Sequence, residues 1–130
     1  MPIRVLLVDD HELYAETLDL LLSDDERIEV VGHAEDGAQA VELALRLRPD
    51  VVLMDVHMPH VDGIEATVSL RSELPDARVV MLSSSAAAED LERACAAGAS
   101  AYLTKDTDGD AIAGEVVRVL SSDVPATRAA

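Results

Sequence analysis

The chain has 130 residues, a net charge of −16 at pH 7, and 49% apolar residues. This length is enough for one domain with a single sizeable core, and the apolar content excludes general disorder. The strong negative charge disfavours direct binding to nucleic acid or to anionic membranes, because both depend on Lys and Arg side chains.

The cysteine content and the amino-terminal residues both indicate the compartment. Cys95 is the single cysteine of the sequence, which excludes an intramolecular disulfide and a cysteine-rich metal site. The first residues lead into a short apolar run that ends at Asp9 and Asp10, unlike a signal peptide or a membrane span. We therefore expect a cytoplasmic protein in a reducing environment.

Short apolar runs alternate with segments of helical periodicity along the whole chain. The runs, rich in β-branched residues, predict five strands at residues 3–8, 28–34, 51–54, 78–82 and 100–103. The second strand alternates apolar and polar residues, which is typical of a sheet edge. Helices are predicted after each strand, at residues 11–23, 37–48, 64–74 and 87–97, with a last helix around residues 112–120. The strict alternation predicts an α/β fold with a parallel sheet covered on both faces.

Local signals predict how individual helices begin, end and face. Asp10 is expected to cap the first helix, which shows Leu13, Thr17, Leu20 and Leu21 at helical spacing. Asp36 and Gly37 open the second helix and Pro49 ends it, whereas Gly98 is expected to end the fourth helix in a left-handed conformation. In the last helix, the core-facing stripe is predicted to consist of Ile112, Val116, Val119 and Leu120.

The third predicted strand places a carboxylate at the centre of the sheet. Residues 51–54 are apolar without interruption, which indicates burial on both faces, and Asp55 follows directly. In open parallel sheets, ligands bind beyond the carboxyl ends of the strands. Since a turn does not require an acid after four buried apolar residues, Asp55 is the first candidate for a functional residue.

Other polar side chains follow the remaining strands. Asp9 and Asp10 follow the first strand, Ser83 the fourth and Lys105 the fifth. If the first and third strands are neighbours, three carboxylates converge, and either one pKa rises or a cation joins them. Oxygen ligands suit a hard cation, and the acids in the turn that opens the first helix would repel a bound phosphate. The sequence therefore predicts a Mg²⁺ site.

These residue types also fit the transfer of a phosphoryl group to a protein carboxylate. A carboxylate such as Asp55 can attack phosphorus to form an acyl phosphate. The charge on the incoming oxygens is compensated by a metal ion, by the ammonium of Lys105 and by the hydroxyl of Ser83. Since no second free acid is predicted in line to drive hydrolysis, the product should persist, as in a switch.

The combination resembles the receiver domain of two-component response regulators over residues 3 to about 121. The resemblance rests on five placements at predicted strand ends and on the loop after the third strand, namely Asp9-Asp10, Asp55, Met58-Pro59, Asp62-Gly63, Ser83 and Lys105. It implies a flavodoxin-like (βα)5 doubly wound parallel sheet with strand order 2-1-3-4-5.

The resemblance also implies a role for each site residue. Asp55 would accept the phosphoryl group from a sensor histidine kinase, and Asp9, Asp10 and Asp55 would hold Mg²⁺ with the backbone carbonyl of His57. Ser83 and Lys105 would bind the phosphoryl oxygens. Tyr102 would be the switching aromatic residue, which turns inward when Ser83 is drawn toward the phosphoryl group. Phosphorylation would then alter homodimer affinity.

Two segments are similar to the NarL/LuxR-type subfamily, residues 8–11 and residues 98–106. That similarity implies control of transcription through a carboxyl-terminal helix-turn-helix domain, which would be the part of the protein that binds DNA. No such domain is expected within these 130 residues. The receiver is predicted to cover residues 1–122, with a linker or frayed tail beginning at residue 123.

Two other functions remain open from the sequence. The chain could be a Mg²⁺-dependent aspartyl-phosphate phosphatase or phosphotransferase, although such enzymes usually carry a second acid two residues after the nucleophile. Here that residue is His57. The chain could also be a docking receiver that is never phosphorylated, although retention of the whole residue set argues against it. His11 and His33 are interpreted as lying outside the functional site.

Overall fold

The computed structural model describes residues 2–84 and 87–121. Five strands are present, each within one or two residues of its predicted bounds: β1 at Ile3–Val8, β2 at Ile28–Ala34, β3 at Val51–Asp55, β4 at Arg78–Ser83 and β5 at Ala101–Thr104. All strand pairs are parallel, and the strand order is β2-β1-β3-β4-β5. The fold class and the strand order implied by the resemblance are therefore confirmed.

Five helices alternate with the strands: α1 at Glu12–Ser23, α2 at Gly37–Leu47, α3 at Gly63–Glu73, α4 at Ala88–Ala97 and α5 at Gly109–Ser121. Asp36 caps α2 by accepting a hydrogen bond from the backbone of Gln39. The helix ends at Leu47, and its C-cap is Arg48, which has a φ of 51° and directly precedes Pro49. Gly98 ends α4 with a φ of 96°, as predicted.

The apolar strands separate two cores. One core lies beneath α1 and α5 and contains residues such as Leu18, Leu22, Ile112 and Val116. The other lies beneath α2, α3 and α4 and includes Ala40, Ile64, Leu70 and Ala94. Because β1, β3 and β4 are covered on both faces, their side chains are buried without alternation. This burial fixes the central strands and the residues at their carboxyl ends.

The sequence was a poor guide to the buried face of α1. The residues that face the core are Ala15, Leu18 and Leu22. Leu13 and Leu20 are 77% and 76% exposed, and Leu21 is 52% exposed. Apolar residues occur on more than one side of this helix, so periodicity alone could not identify the side that packs on the sheet. A similar error affects the α5 stripe, where Leu120 is 36% exposed and Ala113 is buried.

The predicted cap of α1 is also wrong. The N-cap is His11, not Asp10, and its side chain makes no capping hydrogen bond within the described part of the chain. The carboxylate of Asp9 instead accepts a hydrogen bond from the backbone of His11, with a distance of 2.8 Å. Asp9 stabilises this turn, and the Asp10 carboxylate remains available for another role.

Two further findings concern the extent of the chain. Among the helices of residues 2–84 and 87–121, none combines the length and the apolar composition that crossing a membrane requires. The predicted domain end at residue 122 and the predicted tail from residue 123 lie outside the described residues.

Candidate functional site

The parallel register brings the predicted site residues to one edge of the sheet. Val8 of β1 pairs with Met54 of β3, so that Asp9 and Asp55 follow neighbouring residues. On the other side, the backbone amide of Lys105 donates a hydrogen bond to the carbonyl of Ser83, with a distance of 2.7 Å. The strand ends that sequence analysis singled out therefore converge.

An ammonium group lies among the carboxylates. The Nζ of Lys105 is 2.7 Å from Oδ2 of Asp9 and 3.3 Å from Oδ2 of Asp55. The side chains of Asp9 and Asp55 are 6% and 4% exposed, whereas that of Asp10 is 32% exposed. The buried pair of carboxylates is thus partly neutralised by Lys105, and Asp10 lies at the open side of the site.

His11 is part of this cluster, contrary to the interpretation from sequence. Its Nδ1 is 3.2 Å from Oδ1 of Asp9, 3.4 Å from Oδ1 of Asp10 and 3.9 Å from Oδ2 of Asp55. The same nitrogen is 3.3 Å from Nζ of Lys105. No sequence pattern distinguishes His11 from the other histidines, because its position follows from the turn that Asp9 stabilises.

The surroundings of Asp55 disfavour its ionised form. Burial and then the neighbouring carboxylate of Asp9 raise the pKa of Asp55 from 3.8 to about 6, although Lys105 acts in the opposite direction. A raised acid pKa means that the folded state binds more protons than the unfolded state between these two values. The ionisation of Asp55 therefore lowers the free energy of unfolding as the pH rises from about 4 to about 6.

The substitution Asp55→Asn is expected to stabilise the metal-free protein at neutral pH. Asn carries no charge, so it avoids the cost of an ionised carboxylate beside Asp9. The gain should be small near pH 4 and should reach about 1–2 kcal/mol at about pH 8, since ionisation of Asp55 is then complete in both states. Urea unfolding of both proteins across this pH range, with a chelator present, measures the difference. If the difference in free energy of unfolding between the two proteins were the same at pH 4 and pH 8, this expectation would be contradicted.

Ser83 and Tyr102 lie at and beneath this edge. Ser83 ends β4, is fully buried, and is the residue after Leu82, which pairs with Asp55. Tyr102 lies in β5, pairs with Met81 and is 5% exposed. Both residues are therefore buried, Ser83 at the carboxyl end of β4 and Tyr102 within the neighbouring strand β5.

The loop after β3 is joined to α4 by two polar contacts. Nε2 of His57 is 2.8 Å from Oδ2 of Asp90, a buried carboxylate in the first turn of α4. One turn further along α4, the guanidinium of Arg93 is 3.3 Å from Oδ2 of Asp62. The His57 side chain is thus directed to α4, while its backbone amide is 3.4 Å from Oδ1 of Asp55. These contacts connect distant parts of the chain, and sequence analysis did not find them.

The side chains present at the site fit a hard divalent cation. Ligand atoms of Asp9, Asp10, His11 and Asp55 all lie within 4.8 Å of one another. Oδ2 of Asp55 is buried and makes no regular hydrogen bond among the described residues, although the Lys105 ammonium lies 3.3 Å away. A buried carboxylate oxygen whose hydrogen bonding is incomplete is costly, and carboxylate oxygens are the ligands that Mg²⁺ prefers. A bound cation would therefore satisfy this oxygen.

Comparison with known proteins identifies the family. The family model described as the response regulator receiver domain matches residues 5–117. This chain belongs to the response regulator receiver family. The receiver is 40% identical over 119 residues to the transcriptional regulatory protein DegU of Brevibacillus brevis, which covers 92% of this chain and 50% of DegU. The chain thus spans about half the length of this relative.

Solved receiver structures share the fold. The signal receiver domain of NarL from Mycobacterium tuberculosis superposes with a TM-score of 0.89 at 34% identity, covering 93% of this chain and 98% of that domain. A Borrelia burgdorferi structure described as a CheX-CheY-BeF3-Mg complex superposes with a TM-score of 0.84 at 26% identity, covering 92% of this chain and 90% of the other. The similarity to NarL agrees with the subfamily that the sequence resembles.

Besides His11, two residues near the site received no individual role from sequence analysis. Tyr14 of α1 lies against Lys105, with Nζ 4.8 Å from the centroid of the ring. Gly63, the first residue of α3, lies so close to β3 that a Cβ atom there would come within 1.9 Å of the Asp55 carbonyl oxygen. The dipeptide Asp62-Gly63 was a usable signal for a tight turn, but the neighbour that requires glycine could be found from the structure alone.

Proposed function

We propose that this receiver is a phosphorylation switch whose acceptor is Asp55 and whose donor is the phosphohistidine of a sensor histidine kinase. The observation that carries the proposal is the position of Asp55. Its carboxylate is buried at the end of the central strand, with Lys105 and the Asp9 carboxylate in contact range. A carboxylate held in this way has a fixed direction of attack and a cation beside it.

The proposed cofactor is Mg²⁺. Asp9, Asp10 and Asp55 would hold it, together with the backbone carbonyl of His57. When bound, Mg²⁺ compensates negative charge on the transferred group and on the carboxylates. The related Borrelia structure is described as containing BeF3 and Mg with a CheY protein, which supports the same chemistry in this chain. The cluster of acidic side chains is the local support for it.

The proposed transfer forms one bond and breaks one. An oxygen of Asp55 bonds to phosphorus, and the bond between phosphorus and the donor imidazole nitrogen breaks, with its electron pair remaining on nitrogen. The ammonium of Lys105, now 3.3 Å from Oδ2 of Asp55, would hold one phosphoryl oxygen. The hydroxyl of Ser83 would donate a hydrogen bond to another.

The proposed switch uses β4 and β5, the neighbouring strands that position Ser83 and Lys105. A phosphoryl group adds charge beside Ser83 and Lys105 and thereby favours a different arrangement of the loop after β4. Tyr102, buried on β5, would turn inward in that arrangement. The face formed by α4, β5 and α5 would then change its affinity for a second copy of the receiver, although a dimer through α1 and α5 is equally compatible.

The proposed output is transcription. DegU is described as a transcriptional regulatory protein and is about twice as long as this chain. We propose that the receiver extends over residues 1–122, that residues 123–130 begin a linker, and that a helix-turn-helix domain follows in the whole protein. DNA would be bound through that domain, in the cytoplasm and without contact of the receiver with a membrane.

Phosphate stoichiometry distinguishes a switch from an enzyme. With Mg²⁺ and acetyl phosphate, we expect intact mass spectrometry to show one phosphoryl group per chain, and none for Asp55→Ala. Inorganic phosphate should be released only slowly, because each phosphoryl group must be loaded onto Asp55 and then lost before the next one is accepted. Rapid hydrolysis of a phosphate monoester over many turnovers would instead identify a phosphatase. Absence of phosphorylation under all donors would favour a docking receiver.

A further inference from the structure

The position of the Lys105 ammonium is set by more than its carboxylate partners. The lysine side chain is 13% exposed, and its Nζ contacts Asp9 and Asp55 on one side. On another side lies the aromatic ring of Tyr14, whose centroid is 4.8 Å from Nζ. A lysine side chain has four carbon atoms joined by rotatable bonds, so the position of its ammonium depends on the groups around it. The Nδ1 of His11 is also 3.3 Å from Nζ. Tyr14 is thus a fourth group that can fix the ammonium, and it is the one that does so through the face of an uncharged ring.

The contact with Tyr14 has the geometry of a cation–π interaction. A cation within about 6 Å of a ring centroid is attracted by the negative face of the ring. The Tyr14 ring is itself supported, because it packs against the core beneath α1 and α5. It therefore provides a fixed surface, in contrast to a freely rotating side chain.

The contribution of Tyr14 differs from that of the carboxylates in its dependence on charge. Asp9 and Asp55 attract Lys105 because they are anionic, and a divalent cation or a phosphoryl group at the site changes that attraction. The attraction by an uncharged ring remains. A phenol is neutral at physiological pH, and burial and then the Asp9 and Asp55 carboxylates raise the pKa of Tyr14 further from that range, to about 12.

The hydroxyl of Tyr14 has no comparable role. The oxygen is buried and has no hydrogen-bond partner among the described residues. A buried hydroxyl without a partner costs free energy on folding. The ring is therefore the part of Tyr14 that can act on Lys105, and phenylalanine would supply it equally well.

We propose that Tyr14 is a positioning residue, which holds the Lys105 ammonium in place for the phosphoryl oxygens through the face of its ring. This inference rests on the proposed function, because it assigns Lys105 to the phosphoryl group. It predicts that the aromatic ring, and not the hydroxyl or the side-chain volume, is the property required at this position.

The first test compares two substitutions of Tyr14 with beryllofluoride as the phosphoryl mimic. Tyr14→Phe keeps the ring, and Tyr14→Leu removes it while remaining apolar. In the presence of Mg²⁺, we expect Tyr14→Leu to bind beryllofluoride about three- to tenfold more weakly, and Tyr14→Phe to stay within about twofold of the wild type. Calorimetric titration gives the dissociation constants. Equal binding by all three proteins, or equal loss in both variants, would overturn the proposal.

A double-substitution cycle separates positioning from general packing. If Tyr14 acts through Lys105, adding Tyr14→Leu to a Lys105→Met protein should weaken beryllofluoride binding no further. If Tyr14 acts by supporting the fold, the loss should be the same in both backgrounds, and the proposal would be overturned. Urea unfolding confirms that each protein is folded, and Tyr14→Met replaces Tyr14→Leu if the leucine variant is not.

A measurement without Mg²⁺ or beryllofluoride tests the positioning role of Tyr14 separately from the proposed phosphorylation of Asp55. The rate at which acetic anhydride acetylates Lys105, measured by peptide mass spectrometry, reports how firmly the ammonium is held. This rate should rise in Tyr14→Leu and stay unchanged in Tyr14→Phe, whereas unchanged rates in both variants would overturn the positioning role. If the wild type fails to bind beryllofluoride, the proposed function is wrong, and acetylation alone decides the role of Tyr14.

Discussion

The substitution Asp10→Asn is expected to weaken Mg²⁺ binding by at least about tenfold. Asp10 is the most suitable acid for this test because its carboxylate is 32% exposed and lies beside the His11 ring, with an Nδ1 to Oδ1 distance of 3.4 Å. Asp9, by contrast, also holds Lys105 and the turn before α1. We therefore expect the loss of Asp10 to remove a proposed cation ligand with little effect on the fold.

Calorimetry or the Mg²⁺ dependence of the melting temperature measures this effect. A cation that binds the folded state raises the melting temperature, so the rise seen with the wild type should largely disappear in Asp10→Asn. The control is Asp76→Asn, which removes the same charge from an exposed residue just before β4, at the opposite edge of the sheet. Equal Mg²⁺ binding by the two variants would show that the acidic cluster attracts the ion only through net charge.

The substitution Gly63→Ala is expected to destabilise the receiver by about 3 kcal/mol. The added methyl would meet the carbonyl oxygen of Asp55 at 1.9 Å and the carbonyl carbon at 2.9 Å. Both are backbone atoms of β3, so they cannot move aside as a flexible side chain can. Either α3 shifts away from the sheet or the end of β3 is displaced, and displacement would also slow phosphorylation of Asp55.

Gly114→Ala is the matched control for this prediction. Gly114 lies within α5, and a Cβ atom there would meet nothing within 4 Å. Alanine in place of glycine within a helix is expected to stabilise the protein by about 0.5–1 kcal/mol. Urea unfolding should therefore give changes of opposite sign for the two variants. A Gly63→Ala protein as stable as the wild type would contradict the close approach of α3 to β3.

The sheet and the candidate site were predictable because they depend on patterns within single strands. Buried parallel strands are continuous apolar runs, and the residues after them meet at one edge whatever the packing of the helices. Asp9, Asp55 and Lys105 could therefore be placed together from their positions after strands. The strand order required the family resemblance, since alternation of elements does not determine it.

Other features depend on contacts between distant residues, and the sequence does not encode them locally. The buried face of α1 was misjudged because Leu13 and Leu20 satisfy a helical period as well as Leu18 and Leu22 do. Tyr14 and Lys105 are far apart in the chain, as are His57 and Asp90. The cap of α1 was misassigned because two adjacent acids compete for one turn, and Asp9 makes the hydrogen bond.

The most direct measurement is the location of the phosphoryl group after treatment with Mg²⁺ and acetyl phosphate. Borohydride reduces an acyl phosphate to an alcohol, so the modified aspartate becomes homoserine, which peptide mass spectrometry can locate. We predict conversion at position 55 and at no other acid. Conversion at position 9 or 10 instead, or modified protein with position 55 intact, would contradict it.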